Sequence, residues 1–325
     1  MGINDAFDAY QRAVNEDPEQ VKLARARREL FKGALLGEPD VTEAFGSGSL
    51  SRSTQLKPIH DVDVVTIYAW DDHRDWGAAG DSAGDALDHA RAQVNRLLGA
   101  SSGTEAKEVR LASPRNHAVK CFLDDPEDPD AFTVDLMPAL RQPDGSLLIP
   151  EKNSRMWVPA NPEYLIRQVA ERQSQWSHFR PLVRVLKRWR QSAPVPGGVK
   201  SLVMEVLALT CLPGSGNRAD ALAAFFTSAA VRVHEGVNDP AGLCGPIQPD
   251  LDVVGLSDAF AAAADLAERA CAAAAEGDTG GAQRLWQQVL GEQFPAPAQE
   301  SSSKAATFTA PVLIAPRRLK DAPQG

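Results

Sequence analysis

The sequence predicts an α+β protein in which a sheet-containing N-terminal half precedes a helical C-terminal half. Short β-type segments separated by Gly-, Asp- and Pro-rich turns occur before residue 160, and helical patterns follow one another from Pro162 to Leu290. The chain has 325 residues, of which 43% are hydrophobic, which is enough to build a buried core. We expect a core at 1–160 with a mixed β-sheet, a helical lobe at 161–295 and a flexible tail at 296–325.

The N-terminal half is predicted to begin with a long helix and to continue as a sheet. Apolar residues at helical spacing over Pro18–Leu36 predict the helix, which Gly37 and Pro39 then end. Strand-like segments follow, separated by loops and one further helix. The predicted strands are 41–45, 61–70, 117–123 and 131–137, the loops are 46–53 and 71–85, and the helix is 86–98. We expect the last two strands to be antiparallel neighbours.

The C-terminal half is predicted to be entirely helical. Its helical segments are 163–173, 179–190, 199–211, 219–234, 256–275 and 283–290. After Phe294 the chain becomes rich in Pro, Ala and Ser, a composition that seldom packs into a core. We therefore expect the tail to be mobile, with Ala310–Ile314 as its one short extended segment.

Composition excludes several classes of protein. The net charge of −9 and the pI of about 5.2 argue against a broad basic surface for nucleic acid, so nucleic-acid binding is not indicated. The four cysteines are scattered, without the spacing of a zinc ribbon or a disulfide framework, which favours a reducing cytoplasm. No run of about 18 apolar residues occurs, so we expect no signal peptide and no membrane-spanning helix.

Two aspartates at the start of a predicted strand form the first candidate site. Asp61 and Asp63 are two residues apart, so their carboxylates point to the same face of the strand. Magnesium is commonly held by one or two carboxylates together with substrate phosphates and water. The preceding loop contains Gly48 and Ser49. A glycine lets the backbone approach a ligand closely, so backbone N–H groups and the serine hydroxyl could bind phosphate oxygens. This arrangement predicts a magnesium and triphosphate site.

Asp135 supplies a third carboxylate. It stands inside the apolar strand Phe132–Met137, where an uncompensated charge would be costly to bury. Together with Asp61 and Asp63 it could hold two ions, which activate an attacking hydroxyl and stabilise the leaving pyrophosphate. Each feature alone has a structural explanation, because Asp favours turns and caps, but their combination favours metal-dependent nucleotidyl transfer. His60 is assigned no role.

The run Gly48-Ser49-x4-Thr54-x-Leu56-x-Pro58-x2-Asp61-Val62-Asp63 resembles the signature of DNA polymerase β-type nucleotidyltransferases. It is most similar to the bacterial relatives of cyclic GMP-AMP synthase, the CD-NTases with a SMODS domain. Val134–Ala139 resembles their third-carboxylate strand, and Ile149-Pro150 with Trp157–Pro162 resembles their passage into the helical lobe. The likeness covers roughly residues 20–250.

This resemblance implies a two-lobed fold that uses Mg²⁺ or Mn²⁺ and consumes nucleoside triphosphates. Asp61, Asp63 and Asp135 would hold the metal, and Gly48 and Ser49 would bind the nucleotide. Leu186-Lys187-Arg188-Trp189 resembles a helix whose lysine contacts the triphosphate, and the helix starting near Lys200 would place Ser201 beside the same phosphates.

The implied product is a cyclic di- or trinucleotide second messenger for antiphage (CBASS-type) defence, with accessory or effector proteins as partners. The tail ending in Gly325 is compatible with the C-terminal conjugation that the resemblance suggests for some members of the family, but the sequence does not tell whether Gly325 is conjugated.

Two other functions stay open on sequence alone. The enzyme could transfer nucleotides to a macromolecule, such as a tRNA end or a protein, or the chain could be a catalytically silent nucleotide-binding scaffold. Three converging carboxylates argue against the scaffold, because their repulsion costs energy without a cation. Sequence does not identify the bases, the linkage, the ring size, the activating signal or the oligomeric state. We expect base choice to depend on the helical lobe and the 71–85 loop.

Overall fold

The computed structural model describes residues 2–15, 17–99 and 108–297. Nearly all of the predicted tail, including residues 310–314 and Gly325, lies outside these residues. Within them, no helix combines the length and the apolar character that crossing a membrane requires.

The N-terminal half is built on a seven-stranded mixed sheet. Its strands are β1 (Val41–Ser47), β2 (Asp61–Tyr68), β3 (Leu111–Pro114), β4 (Val119–Phe122), β5 (Thr133–Arg141), β6 (Leu147–Glu151) and β7 (Met156–Ala160). The central order is β1-β2-β5-β4-β3, and β6 joins β5 to β7. Strands β2 and β5 are parallel, and the other named pairs are antiparallel. The prediction of a mixed sheet is confirmed, as is the antiparallel pairing of β4 with β5.

Helices pack against the sheet and form the second half of the chain. They are α1 (Ile3–Val14), α2 (Pro18–Leu35), α3 (Gly48–Arg52), α4 (Ser82–Leu98), α5 (Pro162–Gln175), α6 (Phe179–Trp189), α7 (Ser201–Cys211), α8 (Arg218–Arg232), α9 (Val253–Ala275) and α10 (Thr279–Leu290), with a 3₁₀ turn at Val233–Glu235. The helical segments predicted for the second half all occur, with ends that differ by a few residues.

The long helix α2 begins where the sequence indicates. The Asp17 carboxylate accepts a 2.8 Å hydrogen bond from the Glu19 N–H, and Pro18 occupies the first turn, where its missing N–H costs nothing. Its apolar face, which includes Phe31 and Leu35, packs with residues of α4 and the sheet. This packing backs the strand that carries Asp61 and Asp63.

The first helix, α1, was not predicted, and it packs away from the sheet. Its buried residues Phe7, Tyr10 and Val14 recur at helical spacing and join the core of the helical half. The Phe7 ring lies 5.1 Å from the rings of both Trp286 and Phe294. The N-terminal segment of the predicted 1–160 region is therefore held by the C-terminal helices, because its apolar stripe finds its complement there.

Further departures concern short elements. The predicted loop at 46–53 instead completes β1 and forms the short helix α3. Strands β3, β6 and β7 were not predicted. Each contains a proline, which disfavours a strand assignment because it cannot donate to a ladder, and each has five residues or fewer.

Candidate active site

The register of two parallel strands brings the predicted carboxylates together. Asp61 and Asp63 lie on β2, and Asp63 is paired directly with Asp135 on the neighbouring β5. On the other side, Asp63 is paired with Ser47, the last residue of β1. The sheet thus gathers acidic groups that are more than 70 residues apart in the sequence onto one site.

These carboxylates raise one another's proton affinity. Burial, followed by the negative charges of Asp61 and Asp135, raises the pKa of Asp63 to about 7, against the opposing effect of Arg52. Burial also raises the pKa of Asp135. Its Oδ1 atom is buried and has no hydrogen-bond partner among the described residues. A cation would reduce the repulsion among the carboxylates and would give the unpaired oxygen a partner. These residues therefore fit a divalent metal ion with oxygen ligands.

Gly48 is required by its contact with Asp63. Its φ of +67° lies in the left-handed region, and a Cβ built there would overlap the Asp63 carboxylate. The structure shows that this glycine allows the Asp63 carboxylate to approach closely, and the predicted approach of a phosphate to the same backbone stays a prediction. A side chain at this position would displace Asp63.

An open cleft of about 500 Å³ lies between the sheet and the helical half. Its walls include Gly48, Ser49, Asp61 and Asp63 from the first half and Ser201 from the second. This size falls within the range of small-molecule sites. The structure therefore brings both predicted serines and two of the predicted carboxylates to one cleft, although their sequence positions are far apart.

Part of the cleft lining is apolar and was not predicted. It includes Met137, Ile149, Leu165, Leu202 and Ile247. We expected the 71–85 loop to contribute to base recognition, but among the described residues it does not line this cleft. The loop follows β2, at the end of the strand opposite Asp61.

Lys187 does not occupy the predicted position. Its side chain is only 4% exposed and is not part of the cleft wall. Its Nζ donates hydrogen bonds to the Thr54 carbonyl at 2.9 Å and to Glu205 Oε1 at 3.0 Å. The predicted direct contact with a triphosphate therefore needs correction, because the ammonium already compensates a buried carboxylate.

Glu205 is the centre of a buried network that sequence reasoning missed. It accepts hydrogen bonds from Arg52 Nε at 2.7 Å, from the Thr54 hydroxyl at 2.9 Å and from Lys187. Burial opposes its ionisation, but the charges of Arg52 and Lys187 prevail and lower its pKa to about 2. A single glutamate in the otherwise apolar α7 was the available signal, since a buried charge needs partners. The network joins α3, beside the site, to α6 and α7.

Asp239 is a second missed residue of the cleft. It lines the cleft together with Pro240, and its carboxylate accepts backbone N–H bonds from Ala241, Leu243 and Cys244. It therefore shapes a turn that lines the cleft. The Asn238-Asp239-Pro240 sequence was the signal, but its surroundings did not distinguish a site from an ordinary turn.

Comparisons with solved structures place the fold among known proteins. CdnC of E. coli MS115-1, solved with ATP, has a TM-score of 0.71 at 18% identity, covering 90% of this chain and 99% of that one. CdnG of Bradyrhizobium diazoefficiens in complex with GTP has a TM-score of 0.64 at 13% identity, with coverages of 88% and 94%. The apo form of Vibrio cholerae DncV has a TM-score of 0.59 at 13% identity, with coverages of 87% and 92%.

A search of curated protein sequences found no match. The profile of the Second Messenger Oligonucleotide or Dinucleotide Synthetase (SMODS) domain matches residues 1–173, more than half of the chain. That range contains Gly48, Ser49 and all three predicted carboxylates. The predicted resemblance and fold class are confirmed, and the chain belongs to the SMODS family.

Proposed function

We propose that the protein is a metal-dependent nucleotidyltransferase that joins nucleoside triphosphates into a cyclic di- or trinucleotide. The observation that carries this proposal is the convergence of Asp61, Asp63 and Asp135 at one end of two parallel strands, with no cationic partner bonded to them among the described residues. Membership of the SMODS family gives the reaction class. The nucleotide-sized cleft beside the carboxylates supports it further.

The three aspartates are the proposed ligands of Mg²⁺ or Mn²⁺. When bound, such ions would activate the attacking hydroxyl and neutralise charge on the triphosphate. The Ser49 hydroxyl and backbone N–H groups around Gly48 are proposed to orient the phosphates, with Ser201 approaching from the facing helix. The apolar lining residues Met137, Ile149 and Leu165 provide surface on which a base can pack.

We propose that residues 1–160 supply the metal site and that residues 161–295 cover the nucleotide.

Solved relatives suggest the substrates and partners. CdnC was solved with ATP and CdnG with GTP, so purine nucleoside triphosphates are the first candidates for this cleft. CdnC was also solved in complex with HORMA-deltaN, so a protein regulator is the first candidate partner, within an antiphage system of the CBASS type.

The test is a synthesis assay with purified full-length protein. Four labelled nucleoside triphosphates would be incubated with Mg²⁺ or Mn²⁺, treated with phosphatase and compared with the variant Asp61→Ala/Asp63→Ala. A matched control is Asp258→Ala/Asp265→Ala, which removes two exposed aspartates of α9. We expect a phosphatase-resistant product from the wild type and the control, and a loss of at least about 10³-fold in the variant, because metal positioning supplies most of the catalysis.

The product identifies the bases and the linkage. Label transferred to added RNA or protein, with no small-molecule product, would instead support the macromolecular acceptor. Equal product from the wild type and the Asp61→Ala/Asp63→Ala variant would refute the assignment of these carboxylates.

A further inference from the structure

A second cluster of ligand-type side chains lies at the opposite end of β2 from Asp61. Asp40 immediately precedes β1, His73 lies in the loop after β2, and His89 lies on α4. Both imidazoles converge on one carboxylate oxygen: His73 Nε2 is 2.9 Å and His89 Nε2 is 2.7 Å from Asp40 Oδ2. With Tyr68 ending β2 five residues after Asp63, a rise of about 3.3 Å per residue separates this cluster from the catalytic carboxylates by roughly 17 Å.

The three side chains have the composition and spacing of a transition-metal site. Among the described residues, one such group has its ligand atoms all within 4.8 Å of one another, and it is Asp40, His73 and His89. A tetrahedral ion with bonds of about 2.0–2.2 Å holds its ligand atoms about 3.3–3.6 Å apart. Each imidazole nitrogen would therefore need to move away from Asp40 Oδ2 by less than about 1 Å. Two imidazoles with one carboxylate suit Zn²⁺ better than Mg²⁺, which prefers oxygen ligands.

Neighbouring residues hold the ligands in orientation. Asp40 Oδ1 accepts a 2.9 Å hydrogen bond from Gln93 Nε2, and Gln93 Oε1 accepts a 2.6 Å bond from the buried Tyr68 hydroxyl. The His73 ring stacks on Trp76, with centroids 3.8 Å apart. Such outer partners are characteristic of metal sites, where they fix the position of each ligand.

The cluster borders open space. An open cavity of about 610 Å³ is lined by all three residues, together with Glu38, Asp72 and Arg96. The ligand side chains are 13%, 12% and 37% exposed for Asp40, His73 and His89. An ion could therefore enter from solvent, and water could occupy its remaining coordination position.

We propose that Asp40, His73 and His89 form a structural site for a divalent transition-metal ion, with Zn²⁺ the best fit, separate from the catalytic metal site. Bound there, the ion would tie the loop after β2 and helix α4 to the start of β1. It would thereby brace the far end of the strand that carries Asp61 and Asp63.

The test measures zinc binding by calorimetry on the chelator-treated full-length protein in excess Mg²⁺, which keeps oxygen-only sites occupied. The variants are His73→Gln and His89→Gln, whose amide can still donate a hydrogen bond to Asp40. His234→Gln, in the helical half, is the matched control. We expect one Zn²⁺ per chain in the wild type and the control, and affinity at least about 10-fold weaker in each variant, since even outer-shell changes cost 10–100-fold.

Two further readouts distinguish a metal ligand from a purely hydrogen-bonding residue. At the same zinc concentration, zinc should raise the melting temperature of the wild type more than that of either variant. Bound Co²⁺ should show visible d–d absorption without a thiolate charge-transfer band, because no cysteine belongs to the cluster. Absence of stoichiometric zinc binding, wild-type affinity in both variants, or a thiolate band would each overturn the proposal.

Discussion

Two carboxylates in and near the cleft, the half-buried Asp63 and the fully buried Glu205, behave in opposite ways. The pKa of Asp63 is raised to about 7 by burial and by the negative charges of Asp61 and Asp135. The pKa of Glu205 is lowered to about 2, although it is also buried, because Arg52 and Lys187 contact it directly. Burial is common to both residues, so the sign of the neighbouring charges decides the difference.

This contrast distinguishes a charge that the protein itself compensates from a charge that a bound cation would compensate. Glu205 is neutralised by the protein itself, and its network holds α3 against the helical half. Asp63 has the like charges of Asp61 and Asp135 nearby, and Arg52 offsets them only in part, so a cation supplied by solvent or substrate would complete the compensation. The molecule thus keeps both kinds of buried charge within one cleft region.

The largest effect on stability is expected from Glu205→Gln. The change preserves shape but leaves Arg52 and Lys187 buried without a counter-charge, which should lower the free energy of unfolding by about 3–5 kcal/mol. Urea denaturation followed by circular dichroism would measure it. The matched control is Asp265→Asn, which breaks an exposed 3.0 Å pair with Arg269 and should change stability by less than about 1 kcal/mol. Equal small effects of the two changes would show that the network is not stabilising.

A smaller and opposite effect is expected from Asp63→Asn in the presence of a chelator. Because the folded-state pKa is raised from 3.8 to about 7, the folded protein holds a proton that the unfolded chain releases over this range. The free energy of unfolding of the wild type should therefore fall as pH rises from about 4 to 7, whereas that of the variant should lack this decrease. We expect the variant to be more stable by about 1–3 kcal/mol at pH 8 and by less at pH 5.

Thermal denaturation across this pH range, with and without Mg²⁺, would measure the difference. Added Mg²⁺ should stabilise the wild type more than the variant, because only the wild type keeps the full ligand set. A variant that is less stable than the wild type at pH 8 would contradict the account of Asp63.

The smallest effect is expected at a partly exposed group of ion pairs. Arg141 lies 2.7 Å from both Glu43 and Glu163, and all three side chains are partly exposed. A double-mutant cycle of Arg141→Met and Glu43→Gln should give a coupling free energy of about 0.2–1 kcal/mol that decreases with added salt. A coupling free energy as large as the loss of about 3–5 kcal/mol expected for Glu205→Gln would show that geometry, more than burial, sets the strength of these pairs.

The sequence by itself determined the order of the two halves, the helices of the C-terminal half and the carboxylate set. Local signals are sufficient for these features, because helical periodicity, the Asp-x-Asp spacing and an isolated Asp135 in an apolar strand depend on neighbours in the chain. The family resemblance rested on the same short-range patterns. The locations of Asp61, Asp63 and Asp135 could therefore be predicted as a group, and their role as metal ligands stays a prediction.

Only the tertiary structure decided which charges meet. The parallel register of β2 with β5 places Asp63 opposite Asp135. The packing of α6 against α7 pairs Lys187 with Glu205, whereas the sequence predicted a contact between Lys187 and a triphosphate. The tertiary structure also packs α1 into the core of the helical half and places His73 and His89 beside Asp40. The physical reason is that electrostatic and metal-ligand interactions depend on distances of a few ångströms between residues far apart in the chain, which no local pattern records.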